Sequence, residues 1–228
     1  MNGVATLYGS QQSRFARYLE RREQRRPDPL AREHRRRLLA GLRGRVIEIG
    51  CGDGRAFEHY PAAVEHVTAV EPDPNARAVA TERARAAPVP VEVVAGSADA
   101  LPAADGSFDA AVAIWVLCSV PDVPAALHEL RRVLTDGGEL RFYEHVRSAN
   151  PVFRGVQHAV DVLFWKRALG GCCTTRDTEG AIRAAGFELV TLEHGFHSSS
   201  PLTIASAPYV VGIAAARDPG PRRSSSTQ

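Results

Sequence analysis

Gly50, Gly52 and Gly54 alternate directly after the apolar run Val46-Ile47-Glu48-Ile49. Glycine at every second position lets the chain turn sharply and brings its N–H groups close to a ligand. Two acids follow at comparable places. Glu71 closes the apolar stretch 67–70, and Asp99 stands just beyond 91–94 and Gly96-Ser97-Ala98. A carboxylate at the first position can accept hydrogen bonds from both hydroxyls of a ribose. One at the second can take the amino group of an adenine. A dinucleotide is disfavoured, because its fingerprint needs a third glycine three residues after the second, where Arg55 stands.

A second set of residues could act on whatever reacts with that nucleoside. His145, beside Glu144, ends another apolar run and is the candidate general base. His194 and His197 follow the sixth apolar run, where a cap could form, and Asp53 and Arg55 are placed to steer an amino group and a carboxylate. Cys118 reads either as pocket lining or as a small buried apolar residue. The four cysteines, Cys51, Cys118, Cys172 and Cys173, show no metal-ligand spacing, so reduced thiols and no metal are expected. Trp115, Phe153, Phe164 and Trp165 offer either an apolar acceptor wall or ordinary core.

Positioning these groups takes alternating strands and helices. Strand patterns cover 46–49, 67–70, 91–94, 108–114, 139–146, 187–193 and 209–215. Helical patterns cover an arm over 10–43 interrupted by Pro27-Asp28-Pro29, then 55–60, 74–87, a helix from Asp122 to Asp136-Gly137-Gly138, 151–169 and 177–185. The alternation predicts an α/β fold: a doubly wound, mostly parallel seven-stranded sheet of Rossmann-like form, with an N-terminal helical arm. Ligands belong at the carboxyl ends of its strands. The expected organisation is an arm or cap over 1–44, a binding domain over 45–216 with 151–176 inserted as a substrate cap, and a disordered tail over 217–228.

A chain of 228 residues with net charge +2 is not a polycation, although arginines crowd residues 14–45. That arm reads as a solvated helical face or as a polyanion-binding patch. There is no secretory leader pattern and no apolar stretch long enough to span a bilayer, so a cytoplasmic protein without a membrane span is expected.

With these residues placed, the chain resembles class I S-adenosylmethionine (SAM)-dependent methyltransferases of the UbiE/type-11 group over residues 30–216. The resemblance is carried by the acidic-x-Gly-x-Gly-x-Gly turn at 48–54, Leu101-Pro102…Gly106-Ser107-Phe108-Asp109, and Leu130-Arg131-Arg132-Val133-Leu134…Gly137-Gly138. Narrower similarity lies in Val116-Leu117-Cys118-Ser119-Val120, Glu144-His145-Val146 and Gly171-Cys172-x-x-Thr175-Arg176, which look like the branch of alkyl-thiol S-methyltransferases. The resemblance implies S-adenosyl-L-methionine as cofactor, S-adenosyl-L-homocysteine (SAH) as product, and contacts from Glu48, Gly50, Cys51, Gly52, Gly54, Glu71, Pro72, Ala98, Asp99 and Trp115. It implies a small-molecule acceptor, a thiol first and a quinol or phenol as the alternative, met by Cys118, Glu144, Phe153 and Arg176 with His145 as the catalytic residue. Nucleic acid is not expected as a partner: Ala113-Ile114-Trp115-Val116 lacks the Asp/Asn-Pro-Pro-aromatic motif of base and amide methylation. By the same resemblance, the arginine-rich arm is expected in place of the membrane anchor of the mammalian members, and a monomer or homodimer is expected.

Overall fold

The computed structural model describes residues 28–168, 171–198 and 201–216. The arm before residue 28 and the tail from 217 lie outside the described residues.

One sequence device starts most of the helices. Asp28-Pro29, Asp73-Pro74 and Asn150-Pro151 each place a side-chain oxygen on the first free N–H groups, and a proline where a missing N–H costs nothing. They open α1 (Pro29–Leu39), α2 (Pro74–Ala84) and α4 (Pro151–Val160). Asp122 and Asp177 cap α3 (Val123–Val133) and α5 (Thr178–Ala184) in the same way, without a proline at the first position.

The strands are β1 (Gly44–Ile49), β2 (Val64–Val70), β3 (Val91–Val94), β4 (Phe108–Ile114), β5 (Leu134–His145), β6 (Phe187–Phe196) and β7 (Pro208–Ala216). They form one seven-stranded sheet in the order β3-β2-β1-β4-β5-β7-β6. Strands β1 to β5 pair in parallel, whereas β7 lies antiparallel between β5 and β6. The connections reverse direction between β1 and β4, and ligands of such sheets bind at the carboxyl ends beside that point. Buried apolar layers cover both faces: Ile47, Ile49, Leu127, Leu130 and Phe142 on one, Val46, Phe57, Val67 and Val112 on the other.

The structure departs from the sequence pattern in five places. Residues 55–60 make only a 3-10 turn, Phe57–His59, because six residues between Gly54 and Pro61 are too few to propagate a helix. Helix α2 stops at Ala84 and continues as turns. Helix α3 ends at Val133, since Leu134 is already extended, and β5 therefore includes Asp136-Gly137-Gly138. The segment after α4 widens into a π turn, Asp161–Trp165. Strand β6 runs on to Phe196 and takes His194 out of the expected loop.

Candidate active site

The carboxyl edge of β1 and β2 carries the donor-side residues. Gly50, Gly52 and Gly54 all have positive φ. A Cβ on Gly50 would lie 2.6 Å from Val116, so this turn and the loop after β4 touch. A Cβ on Gly52 would meet no atom within 4 Å, which leaves the turn open to a ligand at that point. Glu71 is buried and holds the turn in place: its two carboxylate oxygens accept from the Gly52 N–H and the Asp73 N–H, each at 2.9 Å. Each oxygen keeps a second lone pair for a ribose hydroxyl. Burial raises the pKa of Glu71.

The other donor-side candidates are spread around this point. Glu48 is buried, accepts from the Tyr60 hydroxyl at 2.8 Å, and has its pKa pushed by burial to about 7. Cys51 is buried, and burial pushes its thiol pKa up. Asp53 pairs with Arg55 and Arg83, both at 3.0 Å, so the acid and base expected to steer a ligand neutralise each other. Pro72 and Asp99 are exposed at the strand ends, Ala98 is half-buried, and Ser97 donates to Asp99.

A second cluster sits at the ends of β4 and β5. Trp115 has φ 58°, a left-handed conformation rare for a bulky residue, and its N–H donates to the Tyr143 carbonyl at 2.8 Å. The fully buried Glu144 carboxylate then gathers the next three N–H groups, those of Val116, Leu117 and Cys118, at 2.9–3.0 Å. Burial pushes the Glu144 pKa well above the usual carboxylate range, against the pull of those donors. The side chain of Glu144 therefore shapes the loop instead of reaching toward an acceptor.

That loop delivers Cys118 to His145 and Cys172. Cys118 Sγ lies 3.8 Å from His145 Nδ1, Cys172 Sγ lies 3.7 Å from the same nitrogen, and the two sulfurs are 3.9 Å apart. The hydrogen bond from Cys172 and burial both push the Cys118 thiol pKa up. Trp115 stacks on the His145 ring with an interplanar angle of 7°. Arg176 donates to the Leu117 and Val120 carbonyls, and the Cys173 N–H donates to the Cys118 carbonyl at 2.8 Å, which locks the 171–176 loop onto the 116–120 loop.

Three positions that hold these loops together escaped the sequence patterns. Asp161, in the π turn, accepts from the N–H and hydroxyl groups of Thr174 and Thr175 and from the Cys173 thiol. Gln157 Nε2 reaches the carbonyls of Val146, Thr174 and Ala205. Both lie in an amphipathic helical pattern that also carries Arg154, His158, Lys166 and Arg167, so their residue type did not set them apart. Arg35 of α1 lies over the Trp115 ring at 4.8 Å, where nothing in its arginine-rich context distinguished it. Phe153 is set apart from the cluster, packed edge-on against Phe196, and Phe164 is largely exposed, so of the expected wall Trp165 and Trp115 reach the cysteines. His194 bonds Glu179, and His197 bonds Asp28 at 2.8 Å.

The sheet order is that of the class I methyltransferase fold, and residues 47–142 match the family model described as a methyltransferase domain. The open glycine turn and the spare lone pairs of Glu71 fit the adenosyl half of S-adenosylmethionine. Among known proteins, thiol S-methyltransferase TMT1B of Homo sapiens is 37% identical over 160 residues, covering 68% of this chain and 65% of that protein. The match thus spans just under two thirds of the relative's length. The ubiquinone/menaquinone biosynthesis C-methyltransferase UbiE of Hahella chejuensis is 38% identical over 90 residues, covering 39% of this chain and 35% of that protein. A solved Thermotoga maritima structure, a SAM-dependent methyltransferase described as a possible histamine N-methyltransferase, superposes with a TM-score of 0.64 at 25% identity, covering 90% of this chain and 97% of that one. No helix among the described residues is long and apolar enough to cross a membrane.

Proposed function

We propose that this chain is a SAM-dependent methyltransferase whose acceptor is a small-molecule thiol. One observation carries the acceptor class. The three short segments that resemble the thiol branch lie far apart in sequence, yet Cys118, His145 and Cys172 bring them to one point beside the donor turn. The likeness to thiol S-methyltransferases supports the same reading.

Bound SAM supplies an electrophilic methyl on a sulfonium, with a neutral thioether as leaving group. The chain's residues hold the reactants in line: the glycine turn and Glu71 fix the donor, and the Trp115–Cys118 loop floors the acceptor side. Orientation of this kind lowers a barrier by roughly 7–11 kcal/mol. A thiol with pKa of about 8.5 is already partly thiolate at neutral pH and asks less of a base than a phenol near 10.

A small acceptor also suits the basic arm. Of its arginines on α1, Arg32, Arg36 and Arg37 pair with Glu58, Glu33 and Glu193, and Arg35 covers Trp115. Incubation with SAM and a panel of alkyl thiols, aryl thiols, phenols and quinols tests the proposal by SAH release. Thiols should turn over. Turnover of phenols or quinols without thiol activity would replace the acceptor class.

A further inference from the structure

We propose that Cys118, His145 and Cys172 are the three protein ligands of a soft divalent cation of the zinc class, whose fourth position takes the sulfur of the acceptor. The role of that fourth position rests on the thiol reading above. The ligand set does not.

The geometry is that of a ligand set. A tetrahedral zinc with bonds of about 2.3 Å to sulfur and about 2.05 Å to nitrogen sets two sulfurs about 3.8 Å apart and each about 3.6 Å from the nitrogen. The observed separations are 3.9 Å between the sulfurs and 3.8 and 3.7 Å from Nδ1 to Cys118 and Cys172. All three atoms lie within 4.8 Å of one another. Hydrogen bonding accounts for the arrangement less well. A neutral imidazole nitrogen has one lone pair and accepts from one thiol, and thiols are weak donors. A cation engages all three atoms at once, and two thiolates with one imidazole favour zinc-like ions over hard ones.

The ligands are also held before any ion arrives. Glu144 ties the Cys118 loop, Trp115 stacks on His145, and Asp161 with Arg176 ties the loop of Cys172. No spacing rule reveals the set, because each ligand comes from a different loop or strand end. Three protein ligands with one position open is the pattern of catalytic zinc, whereas structural sites are closed by a fourth. Cys173, the adjacent thiol, is turned away to Asp161.

At such a site an acceptor R–SH would bind through sulfur and release its proton to solvent. The sulfur lone pair would form the new S–C bond while the methyl–sulfonium bond breaks, its electrons passing to the donor sulfur. The products are R–S–CH3, SAH and one proton, with no redox change. The thioether is a poorer ligand than the thiolate, which favours its departure.

The test uses the full chain, kept reduced with a phosphine and titrated with Co2+, then with Zn2+, in the absence of acceptor. Expected are one bound ion per chain by mass spectrometry, thiolate-to-cobalt charge transfer with tetrahedral d–d bands, and displacement of Co2+ by Zn2+. Cys118→Ser and Cys172→Ser should each weaken binding by more than the about 100-fold typical of outer-shell changes, with SAH affinity retained as evidence of folding. Absence of charge transfer in the unmutated chain, or binding that survives both substitutions, would overturn the site, and the first result decides even if the variants fail to fold. The thiol panel then separates the two proposals. A loaded protein that methylates no thiol overturns the acceptor reading and keeps the ligand set. Thiol turnover by cation-free protein, unchanged on adding Zn2+, overturns the cation's role and keeps the acceptor.

Discussion

At the scale of single residues, the donor turn separates backbone strain from ligand contact. Gly52 and Gly106 have φ of 57° and 58°, and a Cβ on either would meet no protein atom within 4 Å. Alanine at each position should therefore cost about 1–2 kcal/mol of stability from the left-handed conformation alone. Only Gly52 lies on the donor edge. Gly52→Ala should also weaken SAH binding about tenfold or more, equal to about 1.4 kcal/mol, whereas Gly106→Ala should leave it unchanged. Calorimetry of both variants checks this, and equal affinities would remove Gly52 from the site. The glycine spacing and Glu71 were legible because each directly follows an apolar strand pattern of its own. The roles of Glu144 and Trp115 were not, since an N–H-gathering carboxylate and a positive φ follow from how two strand ends meet.

At the scale of elements, the strand–helix alternation was readable from caps and apolar periods, but the loops between them were not. The segment 151–169 reads as one amphipathic helix. The structure keeps it helical to Ala168 but widens it into a π turn from Asp161, whose carboxylate gathers the N–H and hydroxyl groups of Thr174 and Thr175 from another loop. Partners that meet through a loop instead of within one element leave no periodic trace. This clamp sets the position of Cys172 and touches nothing on the donor edge. Asp161→Asn, which keeps one acceptor oxygen, should lower stability by about 1–3 kcal/mol. It should lower methyl transfer toward the about 100-fold loss that a misplacement of roughly 1 Å brings, with SAH affinity unchanged. Steady-state kinetics beside SAH titration checks it. Parallel losses in both would show that the clamp supports the whole domain instead of the acceptor loop.

At the scale of the whole molecule, stability should depend on pH through a carboxyl buried between the sheet and the 3-10 turn. Glu48 is 3% exposed, and burial pushes its pKa from 4.5 to about 7 despite the hydrogen bond from Tyr60. Between those values the folded chain keeps a proton that the unfolded chain has released. Unfolding free energy therefore falls as pH rises from about 4.5 to about 7 and levels off above that, by roughly 3 kcal/mol for this group. Glu48→Gln is neutral at every pH and still accepts from Tyr60, so it isolates the contribution from that of other carboxylates with the opposite sign, such as Glu129, whose bond from Arg132 lowers its pKa. In urea titrations of the ligand-free protein, the variant and the unmutated chain should be nearly equally stable at pH 4.5. At pH 8 the variant should be the more stable by about 2–3 kcal/mol. A difference that stays constant across this range would mean that Glu48 is ionised in the folded protein, its buried charge held by the Tyr60 hydroxyl.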